Sequence, residues 1–219
     1  MTAKSKKSKI TDDAIIEMYM NYVLEHEAEP KSVFKFCNAH KIEEVDFYQF
    51  FGSVETLQKA VWVKFYEHTI ALMQKNKAYA SFSNKDKMLT FFYSFFELLT
   101  MNRSYVLFTL KNNKSILEGL SQLKGLRTHV KAFATELIED RNETKTLKIT
   151  KHNPKIFSEG AWVQFMFILK FWMDDTSPGF EKTDVAIEKS IHTAFDVFEH
   201  TPLENIIDFG KFLYKERMT

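Results

Sequence analysis

Residues 33–57 read VFKFCNAHKIEEVDFYQFFGSVETL. Val33, Phe36 and Cys37 have the spacing of the apolar side of a short helix. A tight break follows from His40 to Glu43, and a second short helix is predicted to carry Phe47, Tyr48, Phe50 and Phe51. Ser53 then starts a long third helix. Two short helices joined by a turn of three to four residues form a helix-turn-helix, whose second helix normally enters the major groove of DNA. The turn and second helix here carry Glu43, Glu44 and Asp46, where a phosphate-facing surface wants Lys, Arg, Ser or Thr.

Charge outward from this stretch is uneven. Over the whole chain 30 basic residues face 29 acidic ones, so no acidic partner is implied globally. Residues 1–9 carry Lys4, Lys6, Lys7 and Lys9 and no acid. Residues 10–57 carry three lysines against ten acidic residues, a balance of −7. A DNA-binding domain usually shows a basic patch or stripe. This head repels the phosphate backbone unless the lysine tail compensates.

A chain of 219 residues is long enough for a small head on a larger body. Its 22 Phe, set against 6 Gly and 4 Pro, imply long helices around a wide aromatic interior. A single cysteine, Cys37, rules out an internal disulfide and fits a reducing compartment. Its place on an apolar helix face makes it a buried structural thiol. The N-terminus has the charge of a signal peptide without the apolar stretch, and no apolar run reaches the roughly 18 residues of a membrane span. The chain reads as cytoplasmic.

Periodicity supplies the rest of the architecture. Thr11 caps a first helix through Ile15, Met18, Tyr19, Tyr22 and Val23, and Pro30 and Ser32 open the second. A long helix from Glu55 to Lys75 sets Leu57, Val61, Phe65, His68 and Leu72 along one face. After a loop, a nearly all-apolar helix from Asp86 to Met101 belongs inside a bundle. Asn102 to Ser104 breaks it before a short Tyr105–Leu110 helix. Further helices are predicted over Ile116–Asp140, Phe157–Asp175 and Thr183–His200, with Arg141–Pro154 as a loop. Pro202 begins a last helix through Leu203–Lys215. No strand-like alternation occurs, and the class is all-α.

The head resembles the TetR family of bacterial transcription regulators. That family's common pattern lies without gaps over Val33, Phe36-Cys37, His40-Lys41-Ile42-Glu43, Val45-Asp46-Phe47-Tyr48, Phe50-Phe51, Ser53-Val54-Glu55 and Leu57. Departures accompany the match. Lys41 stands where the family has Gly, which demands a left-handed or altered turn. Glu43 replaces a Ser cap, and Val45, Asp46, Phe50 and Val54 replace Gly, Thr, His and Lys.

The resemblance implies a three-helix helix-turn-helix head over residues 10–57, with a flexible basic tail at 1–9. A larger body at 58–219, about six to seven helices, would bind ligand and dimerise. It implies a homodimer, a ligand-responsive transcriptional regulator that meets duplex DNA through Tyr48 and Gln49 with Lys4, Lys6, Lys7 and Lys9. The alternative is a TetR-fold module that has given up DNA and binds an apolar or lipid-like molecule. Phe92, Tyr93, Phe96, Trp162, Phe165, Met166, Leu169 and Trp172 are the candidate pocket, with Arg103, His129, Gln164 and Lys170 to orient a ligand. Ile187, Ile191, Phe195, Phe198, Ile206, Phe209 and Leu213 are the candidate dimer contacts.

Other chemistry finds no support in the spacing. The seven histidines show no zinc-site pattern, so no metal or other cofactor is expected. Asp174, Asp175 and Glu181 flank a Pro-Gly turn and read as helix ends rather than an acid pair. No nucleophile elbow or glycine-rich phosphate loop occurs, and the protein is not read as an enzyme.

Overall fold

The computed structural model describes residues 10–111, 120–143 and 153–200, and among them no strand occurs. The helices are α1 Asp12–His26, α2 Val33–His40, α3 Glu44–Tyr48, α4 Val54–Gln74 and α5 Asn84–Met101. They continue with α6 Arg103–Lys111, α7 Lys124–Glu143, α8 Pro154–Asp174 and α9 Glu181–His200. Their starts follow from short polar side chains that satisfy the free N–H groups of a first turn. Thr11 accepts from Ala14 N–H at 3.2 Å, Ser32 from Lys35 at 3.2 Å, Ser53 from Thr56 at 3.2 Å and Ser83 from Asp86 at 3.1 Å.

These helices form two compact units. One comprises the described residues up to Phe65 with Leu99–Leu126, the other Tyr66–Leu98 with the described residues from Arg127 on. The unit that holds the helix-turn-helix thus includes the first half of α4 and all of α6. Its interior is Ile15, Tyr19, Val23, Phe36, Phe47, Leu57, Val61, Trp62 and Tyr105, all buried. Gln122 ties three of its elements together: its amide accepts the Trp62 indole N–H at 2.9 Å and donates to the Thr109 carbonyl at 3.0 Å. At Gly125 a Cβ would lie 2.9 Å from Val63 Cγ2, so only glycine lets the start of α7 come this close to α4.

The second unit is built around α5. Phe91, Phe92, Phe95 and Phe96 are buried there, against Phe133 of α7 and Phe165 of α8. Asn84 donates to the Leu137 carbonyl at 2.6 Å and fastens the start of α5 to α7.

Several sequence-based boundaries move. The second helix of the motif stops at Tyr48, because Gly52 and the Ser53 cap follow at once; Phe50 and Phe51 form a turn whose N–H groups both donate to the Phe47 carbonyl. Residues 116–119 lie outside the described residues and Leu120 and Ser121 are helical; Gln122 and Leu123 form a turn that interrupts the expected helix, and α7 begins at Lys124. It runs on to Glu143 where a loop was expected. Asn153 accepts from Lys155 N–H at 3.0 Å and starts α8 about one turn before Phe157. Beyond Phe65 the buried side of α4 passes to Thr69 and Met73, leaving His68 and Leu72 exposed, because successive steps of four residues hold one face.

Candidate functional site

The turn of the helix-turn-helix is closed by Lys41, whose backbone is left-handed at φ 56° and ψ 38°. Lys41 N–H donates to the Asn38 carbonyl at 3.3 Å and Ile42 N–H to the Cys37 carbonyl at 3.0 Å, which satisfies the end of α2. Glu43 occupies the N-cap of α3 in extended backbone. Phe47 is fully buried and anchors that helix, its ring 5.9 Å from Phe36 and 5.9 Å from Phe51. Cys37 is buried on α2; burial first, then the nearby Glu44, Asp46 and Glu43, push its thiol pKa up. Such a thiol is structural, not nucleophilic.

What α3 shows to solvent is apolar and acidic. Val45 is 72% exposed, Tyr48 52% and Phe50 38%, and Glu43 and Gln49 are exposed as well. No Lys or Arg occurs from Ile42 through Gln58. Tyr48 and Gln49 therefore stand at the surface where the sequence reading puts them, while Lys4, Lys6, Lys7 and Lys9 lie outside the described residues.

In the second unit, the residues read as a pocket touch one another. Phe165 packs on Phe92, Phe96 and Trp162 at ring distances of 6.0, 5.7 and 5.3 Å, and Phe96 meets Trp172 at 6.3 Å. Leu169 is buried among the same helices and Met166 half-buried. Tyr93 turns to the surface, its hydroxyl donating to the Asp184 carbonyl at 3.4 Å. His129 stacks on Tyr66 at 5.0 Å, Gln164 donates to Ser190 at 3.0 Å and Lys170 pairs with Asp174. Arg103 begins α6 and belongs to the other unit.

Helices α8 and α9 pack antiparallel, with Phe157 against Phe195 and Phe198 at 5.8 and 4.8 Å at one end. Ile187, Ile191 and Phe195 face inward and are buried, and Phe198 is half-buried; Ile206, Phe209 and Leu213 lie outside the described residues. The same hairpin carries an open groove of about 670 Å³ that Phe157, Phe195 and Phe198 line together with Val163, Gln164 and Phe167. Val163 is 67% and Phe167 58% exposed. The sequence reading named neither. The step of four from Val163 to Phe167 to Phe171, opposite Phe165, Leu169 and Trp172, is the pattern that separates the two faces.

Among the described residues no three His, Cys, Asp or Glu side chains come together as metal ligands, and no helix is long and apolar enough to cross a membrane. Residues 87–213, more than half of the chain, match the family model described as tetracyclin repressor-like, C-terminal domain. No curated protein matches the sequence.

Proposed function

Since the chain belongs to the tetracyclin repressor-like family, we propose that it is a TetR-like regulator, working as a homodimer, whose second head helix does not read duplex DNA. The carrying observation is the run from Ile42 through Gln58, which has no basic side chain while Glu43, Glu44 and Asp46 surround the exposed end of the motif. Phosphate attraction supplies most of any protein's affinity for DNA, and a surface of the same sign as phosphate cannot supply it. The exposed Val163 and Phe167 beside the groove on α8 and α9 support the dimer, because a symmetry mate can cover an apolar stripe that one chain leaves in water. The packed rings of Phe92, Phe96, Phe165 and Trp172 support an interior that holds itself together, so the reading assigns no ligand to that place.

A second reading has its own observation: four lysines in the first nine residues, together with Tyr48 and Gln49 at the surface. A tail of that charge could hold the head on DNA without base readout. One titration separates the two: binding to random duplex DNA over a range of salt, with residues 1–9 present and deleted. The first reading expects no binding by the deleted chain even at about 50 mM salt, and no steep salt slope from the full chain. A steep slope that disappears with the tail replaces it by the second reading.

A further inference from the structure

The exposed face of α3 and the turn after it has a composition that neither a DNA contact nor a solvated loop calls for. Val45 and Tyr48, three positions apart on one side of α3, and Phe50 just beyond it are all exposed, on a backbone held by the buried Phe47. Glu43, Glu44 and Asp46 border them. Apolar and aromatic side chains at the centre with charge at the edge is the arrangement of a protein-binding surface. Anchors on a rigid element lose little freedom when they are covered.

We propose that this face docks a basic protein segment carrying apolar anchors, Lys or Arg meeting the acidic edge and aliphatic or aromatic groups covering Val45, Tyr48 and Phe50. Charge selects this occupant. The head is at −7 in a chain of net charge +1, so the acidity is local and repels both nucleic acid and a second copy of the same face. The inference goes beyond the reading above and depends on α3 being free of DNA.

Fluorescence anisotropy on the full chain tests it with three labelled probes: an amphipathic Lys/Leu peptide, its Glu/Leu counterpart and a duplex DNA. The Lys/Leu peptide is expected to bind and the other two are not. Val45→Ser with Phe50→Ser, which leaves the charge unchanged, is expected to weaken the peptide at least about tenfold at low and high salt. Glu43→Gln with Asp46→Asn, both isosteric, is expected to flatten the salt dependence. An unbound peptide, or one that binds all variants equally, overturns the docking surface and leaves the function proposed above standing. Duplex binding by the chain lacking residues 1–9 overturns both.

Discussion

Lys41 shows how a single residue bears on the motif. Its φ of 56° is a conformation that glycine adopts without strain and that costs an L-residue about 1–2 kcal/mol. The turn tolerates the lysine because both sides are fixed: Ile42 N–H is held by the Cys37 carbonyl, and Phe36 and Phe47 are buried on the two flanking helices. Lys41→Gly removes the strain and returns part of the gain through the greater freedom of the unfolded chain. The expected net effect is a stabilisation of about 0.5–1 kcal/mol, read as a higher denaturant midpoint at unchanged slope. An unchanged or lower midpoint would mean the turn is not strained. The left-handed turn was legible in the sequence because a lysine stands where the resembling family places glycine. The equally left-handed Glu27, φ 47°, carried no such mark, being an ordinary glutamate at the end of a helix.

Elements are positioned by their ends, and the turn from α8 to α9 is the clearest case. Asp175 accepts from Ser177 N–H and Oγ at 2.8 and 2.7 Å, and from Thr183 N–H and Oγ1 at 3.0 and 2.7 Å. Burial acts to raise its pKa, but these donors outweigh burial and hold it at about 2, below the ordinary 3.8. A carboxyl depressed on folding contributes stability that is complete above its unfolded pKa and is lost as pH falls through the folded one. Asp175→Asn should therefore cost about 1–3 kcal/mol near neutrality, through donors left poorly paired. Its stability should also fall less than the parent's between pH 4 and pH 2, a window set by those two pKa values. Denaturant unfolding at several pH values measures this, and parallel curves for the two proteins would remove Asp175 from the account. The helix-end role was legible from Asp175 beside a Pro-Gly turn. The start of α7 was not: the buried bonds of Gln122 to Trp62 and Thr109 join residues far apart in sequence, which periodicity does not see.

For the molecule as a whole, class and motif could be read from few breakers, period-3.6 apolar spacing and the 33–57 pattern, but the outward side of each apolar helix could not. Ile187, Ile191 and Phe195 satisfy the same periodicity whether they meet α8 of their own chain or a partner, and only their burial decides for the former. Phe165 and Phe167 are equally apolar in composition, yet one is fully buried and the other exposed. The homodimer proposed above rests on that difference. A monomer would leave Val163, Phe167 and the groove beside them in water, at a cost that grows with apolar area. A two-fold partner laid across α8 and α9 brings each stripe against its mate. Phe167→Glu tests this with little risk to the fold, since the side chain points outward, whereas Ile187→Glu would bury a charge and unfold the unit. Light scattering should give the mass of two chains for the parent and of one for Phe167→Glu, with the helical circular dichroism unchanged. A carboxylate at 167 loses its hydration when the face is covered, so the variant's association should recover at low pH, when the new carboxyl is protonated. A parent that is monomeric, or a variant that dimerises as well as the parent at neutral pH, would place the contact somewhere other than this face.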